Sequence, residues 1–199
     1  MRDRLRSAIR RRFLTLRLRM RAPAAAHRPV DWAERVALEG VDNLHRVSAL
    51  IYRSAQPSTL GIRNLRGLGI RSVINLRALH CNLPGLGSTG LLNHRLHVLT
   101  WKVQDRQVIR VLTLLRDAHK GPFLIHCKHG ADRTGLMSAM FRIVEQGWSK
   151  EAAIREMVNG GYGYHRVWGN IVRYIEQVDV ERIRARLARK PRRVNASGS

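Results

Sequence analysis

Apolar residues recur along the middle of the chain at spacings that predict alternating strands and helices. Short apolar runs predict a strand pair within residues 46–53 and single buried strands over 71–76, 95–99 and 123–125. Apolar residues three and four positions apart predict helices over 59–67, 104–119, 135–144, 150–159 and 167–178. This alternation indicates an α/β fold with a central, largely parallel sheet flanked by helices.

Basic residues are concentrated at both ends of the 199-residue chain, which has 37 Lys and Arg against 14 Asp and Glu, a net charge of +23. Residues 1–29 carry ten arginines and one aspartate, and residues 181–199 carry seven basic residues and one glutamate. The segment between them has twenty basic and twelve acidic residues. We therefore expect one domain over 30–180, with a basic N-terminal tail over 1–29 and a basic C-terminal tail over 181–199.

The N-terminal tail has two open interpretations. Leu5, Ile9, Phe13 and Leu16 fall at helical spacing among arginines, which is typical of a basic amphipathic helix on anionic lipid or nucleic acid. The alternative is a solvated, arginine-rich tail. Arginines interrupt the apolar run that an export signal needs, and no segment approaches the length of a membrane span. We expect a cytoplasmic protein, with peripheral contact to the inner membrane face if the amphipathic helix forms.

Residues 122–135 carry the strongest chemical signal. Cys127 follows a predicted buried strand, Arg133 lies six positions later, and a helical pattern opens at Gly135. In a strand-loop-helix turn, backbone N–H groups and the positive end of the helix dipole converge, which binds anions and stabilises a thiolate. Cys127 is therefore a candidate nucleophile in a candidate phosphate site.

Neighbouring residues suit the same chemistry. The planar guanidinium of Arg133 can grip two phosphate oxygens, and the Thr134 hydroxyl can donate to the thiolate. Gly130 permits the backbone angles of a tight anion-binding turn. The alternative is an inert, buried strand cysteine followed by surface polar residues.

Residues 126–135, His-Cys-Lys-His-Gly-Ala-Asp-Arg-Thr-Gly, resemble the phosphate-binding signature of the cysteine-dependent protein-tyrosine and dual-specificity phosphatase superfamily. Residues 52–57, 69–77 and 147–157 resemble bacterial dual-specificity-like members in the same order, so the resemblance covers about residues 32–180. It implies a protein-tyrosine-phosphatase-like sheet and metal-free hydrolysis of phosphomonoesters without a cofactor. Cys127 would attack phosphorus, a carboxylic acid would protonate the leaving oxygen, and water would release phosphate.

The resemblance also assigns the loop. Its phosphate-binding residues would be Lys128, His129, Gly130, Ala131, Asp132 and Arg133, with catalytic roles for Cys127, Arg133 and Thr134. His126 would hold the loop through backbone hydrogen bonds. The side chains of Lys128 and His129 are expected to point outward. The remaining histidines, among them His94, His97 and His165, have no spacing that indicates a metal site, so we predict no metal.

Two aspartates compete for the role of general acid. Asp105 stands on the loop where the superfamily places its acid, but it also suits the first turn of the following helix. Asp132 stands beside Arg133, as in the loop of myotubularin-type and some bacterial lipid-directed phosphatases. Arg133 and the helix terminus favour its ionised form, and a bound phosphate dianion opposes this. We favour Asp132, which shifts the expected substrate modestly towards phosphoinositide alongside phosphotyrosine or phosphoserine/threonine protein.

Three further questions remain open. The chain could be a non-catalytic phosphate-binding module, although Cys127 and Arg133 are both present. It could use the same fold as a basic nucleic-acid or membrane-surface protein. Cys81 could capture an oxidised Cys127 in a disulfide, as some related phosphatases do, although an unpaired cysteine in a reducing cytosol is favoured. The loop over 80–90 is rich in glycine and leucine. Relatives, as the resemblance implies, carry a polar, charged loop there that helps to shape the substrate pocket.

Overall fold

A six-stranded sheet forms the centre of the molecule in the computed structural model, which describes residues 29–78 and 85–189. Its strands in chain order are β1 Glu34–Arg35, β2 His45–Ser48, β3 Ile51–Ser54, β4 Ser72–Asn75, β5 Leu92–Arg95 and β6 Phe123–His126. Their spatial order is β1-β2-β3-β6-β4-β5. The first two pairings are antiparallel and the other three are parallel, which confirms the expected mostly parallel sheet.

Six α-helices flank this sheet within the described residues. They are α1 Thr59–Gly67, α2 Asp105–Leu115, α3 Asp132–Glu145, α4 Lys150–Asn159, α5 Gly169–Gln177 and α6 Val180–Ala188. Four of them were predicted within a few residues, since their apolar positions face the core at helical spacing. Helix α3 begins three residues before the predicted start, because Asp132, Arg133 and Thr134 carry no apolar signal that would reveal a first turn.

The fifth strand lies earlier in the chain than predicted. The sequence indicated a strand over 95–99, whereas β5 spans Leu92–Arg95 at the edge of the sheet. Leu96 and Val98 are buried, and the Leu96 amide donates to the Asn75 carbonyl at 2.9 Å. The alternating pattern therefore marked the buried continuation of the strand, while the mostly exposed side chains of β5 gave no such pattern.

Helix α6 lies where the sequence suggested a C-terminal tail. Its Ile183 is buried, and the Arg184 guanidinium donates to the Ile143 carbonyl of α3 at 3.1 Å. The packed part of the chain therefore extends to about residue 188, the end of α6. Residues 1–28 of the N-terminal tail, Cys81 and the last ten residues lie outside the described part of the chain, as do the interpretations that depend on them. Among the helices that are described, none combines the length and apolarity required to cross a bilayer.

Candidate active site

The thiol of Cys127 lies at the carboxyl end of a central strand. β6 is fully buried and pairs in parallel with β3 on one side and β4 on the other. The chain leaves β6 at Cys127, turns through Gly130 and enters α3 at Asp132. Cys127 is only 2% exposed. Ligand sites of parallel sheets form at this edge, and the N-terminus of α3 directs its N–H groups towards the same loop.

The backbone of this loop is held by contacts from two other segments. The Gln56 amide donates to the Lys128 carbonyl at 3.1 Å, and the Asn43 side chain donates to the His129 carbonyl at 2.9 Å. Gly130 has a φ of +71°, and a Cβ there would lie 2.5 Å from backbone atoms of Ser54 and Ala55. Only glycine fits this close approach, so the segment after β3 fixes the shape of the loop.

A buried arginine lies beneath the loop. Arg53 is 1% exposed, donates from Nη2 to the Gly130 carbonyl at 2.7 Å, and places its guanidinium 3.7 Å from the ring centroid of Tyr162. Burial lowers the pKa of Arg53 to about 10, and nearby negative groups, Cys127 among them, oppose this. Arg53 therefore stays cationic at neutral pH and adds positive charge under the thiol. Sequence reasoning missed this role, because an arginine inside an apolar strand carries no distinctive spacing.

His126 lies in the core immediately before the nucleophile. Its Nδ1 lies 3.1 Å from the Cys127 carbonyl, so Nδ1–H donates there. Burial lowers the pKa of His126 to about 4, with smaller contributions from the positive charges of Arg77 and Arg133. The ring is therefore neutral near pH 7 and supports the backbone of the loop.

The other loop side chains fall into two groups. Lys128 and His129 are exposed. Thr134 is fully buried, and its hydroxyl has no hydrogen-bonding partner among the described residues. Arg133 is partly exposed in the first turn of α3. The structure thus brings a cation and an uncommitted hydroxyl to the helix end that follows Cys127.

Asp105 has a partner on a different helix. It is the first residue of α2, and its Oδ1 accepts a hydrogen bond from the Tyr174 hydroxyl of α5 at 2.9 Å. Burial, followed by this contact with Asp105, raises the pKa of Tyr174 above its usual value. One carboxylate oxygen of Asp105 therefore ties α2 to α5.

Asp132 is held by His165, a residue that sequence reasoning considered only as a metal ligand. The His165 amide donates to Oδ1 at 2.9 Å, and Nδ1 lies 3.1 Å from Oδ1 and 2.9 Å from Oδ2. The His165 ring also lies 5.4 Å from that of His129. The sequence feature that could have indicated this contact is the glycine-rich turn just before His165, since loops of this kind often carry binding and catalytic residues.

Metal ligands are not grouped in this region. Within residues 29–78 and 85–189, no three His, Cys, Asp or Glu side chains come together in a way that could hold a metal ion. The arrangement found here is a buried thiol, a helix N-terminus, an adjacent guanidinium and a carboxylate held by a histidine. These groups together can bind an oxyanion and carry out nucleophilic displacement and proton transfer at it.

Known proteins share this arrangement of elements. A family model described as "DSP-PTPase phosphatase fused to NAD+ Kinase" matches residues 30–165. The dual specificity protein phosphatase TpbA of Pseudomonas aeruginosa is 37% identical over 168 residues, covering 84% of this chain and 76% of TpbA. The inositol diphosphatase DSP5 of Arabidopsis thaliana is 30% identical over 153 residues, covering 71% of this chain and 72% of the relative.

Solved structures agree with the family model. The crystal structure of TpbA superposes with a TM-score of 0.73 at 36% identity, covering 81% of this chain and 99% of TpbA. A cysteine-to-serine variant of TpbA in complex with pTyr gives the same TM-score at 35% identity, covering 82% of this chain and 99% of that one. These matches confirm the protein-tyrosine-phosphatase-like fold. The chain therefore belongs to the DSP-PTPase family, the dual-specificity-like branch of the protein-tyrosine phosphatase superfamily, and is a phosphatase.

Proposed function

We propose that the protein hydrolyses phosphomonoesters through a phosphocysteine at Cys127. The observation that supports this most directly is the position of Cys127, buried at the carboxyl end of β6 and followed within six residues by the N-terminus of α3 and Arg133. A thiolate there faces backbone N–H groups and a guanidinium that also attract the phosphate dianion. The same positive groups thus stabilise the thiolate and bind the phosphate of the substrate.

Four further residues of the loop and the first turn of α3 have roles in this proposal. The fork of Arg133 binds two phosphate oxygens and stabilises the charge that develops on them during displacement. The Thr134 hydroxyl donates to the sulfur when it becomes the leaving group in the second step. Lys128 and His129, both exposed, add positive charge at the mouth of the loop.

We assign the general acid to Asp132 rather than Asp105. Asp132 lies where the phosphate-binding loop enters the first turn of α3, next to Arg133 in the chain. Asp105 instead uses one oxygen to join α2 to α5. In the first step Asp132 would protonate the leaving oxygen, and in the second step the carboxylate would take a proton from the attacking water.

The proposed substrate class is phosphotyrosine protein, with inositol phosphates and phosphoinositides second. Support for the first comes from TpbA, whose variant has been solved with pTyr at 35% identity to this chain. Support for an inositol-based substrate comes from DSP5, which is named an inositol diphosphatase and is 30% identical. Both classes present the phosphoryl group on an oxygen that a general acid can protonate.

A substrate panel tests this proposal. We expect turnover of 4-nitrophenyl phosphate and of phosphotyrosine peptides, with inositol phosphates and phosphoinositides as parallel arms under identical conditions. Faster turnover of inositol phosphates or phosphoinositides would make these the preferred substrate class and leave the proposed mechanism unchanged. Phosphate binding without turnover of any arm would instead support a non-catalytic phosphate-binding module.

The distribution of charge supports a second property. Residues 1–28 and 190–199 together carry +12 of the net charge of +23 and lie outside the described residues. We propose that these ends bind the phosphatase to a polyanionic surface, either an anionic membrane or nucleic acid. This property is compatible with catalysis, because the phosphate loop belongs to the folded domain.

A further inference from the structure

The carboxylate of Asp132 is enclosed by two donors from one residue that is distant in sequence. His165 follows the turn after α4, and its amide and ring contact Asp132 at the start of α3. Asp132 is 7% exposed, whereas the side chain of His165 is about half exposed. The contact therefore lies between the buried base of the loop and solvent. From this position the Asp132 carboxyl can exchange a proton with a bound substrate.

We infer that His165 is a positioning residue for proton transfer by Asp132, an inference that rests on the proposed function. Before displacement, Nδ1–H of His165 lies 3.1 Å from Oδ1, which also accepts the backbone N–H, and 2.9 Å from Oδ2, which carries the proton. As the S–P bond forms and the P–O bond breaks, the leaving oxygen takes that proton from Oδ2. The carboxylate is then ionised, and both donors of His165 face the new charge.

The second step reverses this transfer. Oδ2 accepts a proton from the attacking water while the O–P bond forms and the S–P bond breaks, which returns Asp132 to its protonated state and the thiolate to Cys127. Hydrogen bonds to an ionised acceptor are about twice as strong as those to a neutral one. His165 therefore stabilises the ionised carboxylate more than the protonated one, and lowers the barrier to proton donation in the first step.

Within the described residues, the hydrogen-bond contacts of His165 Nδ1 are with the Asp132 carboxylate. The ring of His129 lies 5.4 Å from that of His165, and Arg166 follows in the chain. Tyr164 donates its hydroxyl to the Trp168 carbonyl at 2.6 Å. Burial, and then the charge of Asp132, raises the pKa of Tyr164 to about 12, so this tyrosine stays neutral.

Two substitutions separate the role of the ring from that of the backbone. His165→Ala removes Nδ1 but keeps the amide that donates to Oδ1 at 2.9 Å, so the turn retains one anchor on α3. His165→Asn places a side-chain N–H close to the position of Nδ1. Asparagine does not titrate, and it therefore preserves positioning without the charge of an imidazolium.

The leaving-group dependence of the rate provides the test. We expect His165→Ala to reduce kcat about 10- to 100-fold on an alkyl phosphate and less than about threefold on 4-nitrophenyl phosphate, whose leaving group needs little protonation. His165→Asn should recover most of the loss. In an Asp132→Asn background, His165→Ala should add little, because its effect passes through the carboxylate.

Equal losses on both substrates, or a full loss that persists in the Asp132→Asn background, would overturn the inference. His119→Ala, an exposed histidine before β6 at the opposite end of the strand from the loop, serves as the matched control and should leave both rates unchanged. Cys127→Ser distinguishes a failure of the proposed function from a failure of the proposed role of His165. If it abolishes turnover while the His165 variants behave like the parent, the proposed function stands and the role of His165 falls.

Discussion

Gly130 shows how a single residue sets the shape of the phosphate loop. A Cβ at this position would meet backbone atoms of Ser54 and Ala55 at 2.5 Å, in addition to the strain of a φ of +71°. Gly147 has a similar φ of +72° but nothing within 4 Å of the same Cβ. Substitutions at the two glycines therefore distinguish the steric clash of an added Cβ from the strain of a positive φ.

We predict that Gly130→Ala lowers kcat/KM at least about 100-fold and reduces the free energy of unfolding by about 2–4 kcal/mol, since backbone must move to admit the methyl group. Gly147→Ala should cost only about 1 kcal/mol and leave turnover unchanged. Urea unfolding and a 4-nitrophenyl phosphate assay on both variants measure these effects. Parental turnover by Gly130→Ala would show that the loop does not depend on this approach.

His126 makes stability depend on pH. Its pKa is lowered from 6.5 to about 4 by burial, so between these values the unfolded chain binds the proton that the folded protein excludes. The stabilisation is complete above pH 6.5 and is lost as the pH falls towards 4, by at most about 3 kcal/mol.

We predict that His126→Asn flattens this part of the stability profile while keeping a donor near the Cys127 carbonyl. The measurement is urea unfolding from pH 7 to pH 4, compared between parent and variant so that carboxylates common to both cancel. Identical slopes for the two proteins would exclude His126 as the source.

At the scale of elements, a buried ion pair joins α3 to α4 behind the loop. Arg142 donates from Nε and Nη2 to the two Glu156 carboxylate oxygens at 2.8 and 2.9 Å, with both side chains about 4% exposed. Tyr162, which stacks on Arg53, donates its hydroxyl to the same carboxylate at 3.1 Å. The pair therefore connects the helices to the arginine beneath Gly130.

We predict that Glu156→Gln destabilises the protein by about 3–5 kcal/mol, because it leaves the Arg142 charge buried without its counter-ion. Arg142→Met combined with Glu156→Met should recover part of that loss. Chemical denaturation of the three variants provides the comparison. A change below about 0.5 kcal/mol in Glu156→Gln would show that the pair contributes little.

The elements differ in how far sequence could predict them. α1 and α4 were predicted at their observed bounds from apolar spacing, and the structure shows that Ser58 and Ser149 cap them. β5 was displaced because an edge strand with exposed side chains lacks a period. Cys127 and Arg133 were predicted from one local segment. The contact of His165 with Asp132, 33 residues apart, depends on how the turn after α4 returns to the loop, which no local pattern encodes.

At the scale of the molecule, charge separates the ends from the domain. We predict that the full chain sediments with phosphatidylserine vesicles, or is retained on DNA, and that either interaction weakens steeply between about 50 and 200 mM salt. A fragment of residues 30–189, cut after α6, should lose this binding and keep parental turnover of 4-nitrophenyl phosphate. Undiminished binding by the fragment would place the surface on the folded domain.

Cys127 is the proposed nucleophile of a phosphatase whose loop binds phosphate independently of the thiol. The most direct test measures turnover of 4-nitrophenyl phosphate and binding of inorganic phosphate by Cys127→Ser. We predict that turnover is abolished while phosphate affinity stays within a few-fold of the parent, since Arg133 and the N-terminus of α3 remain in place. Turnover close to that of the parent would show that Cys127 is not the nucleophile.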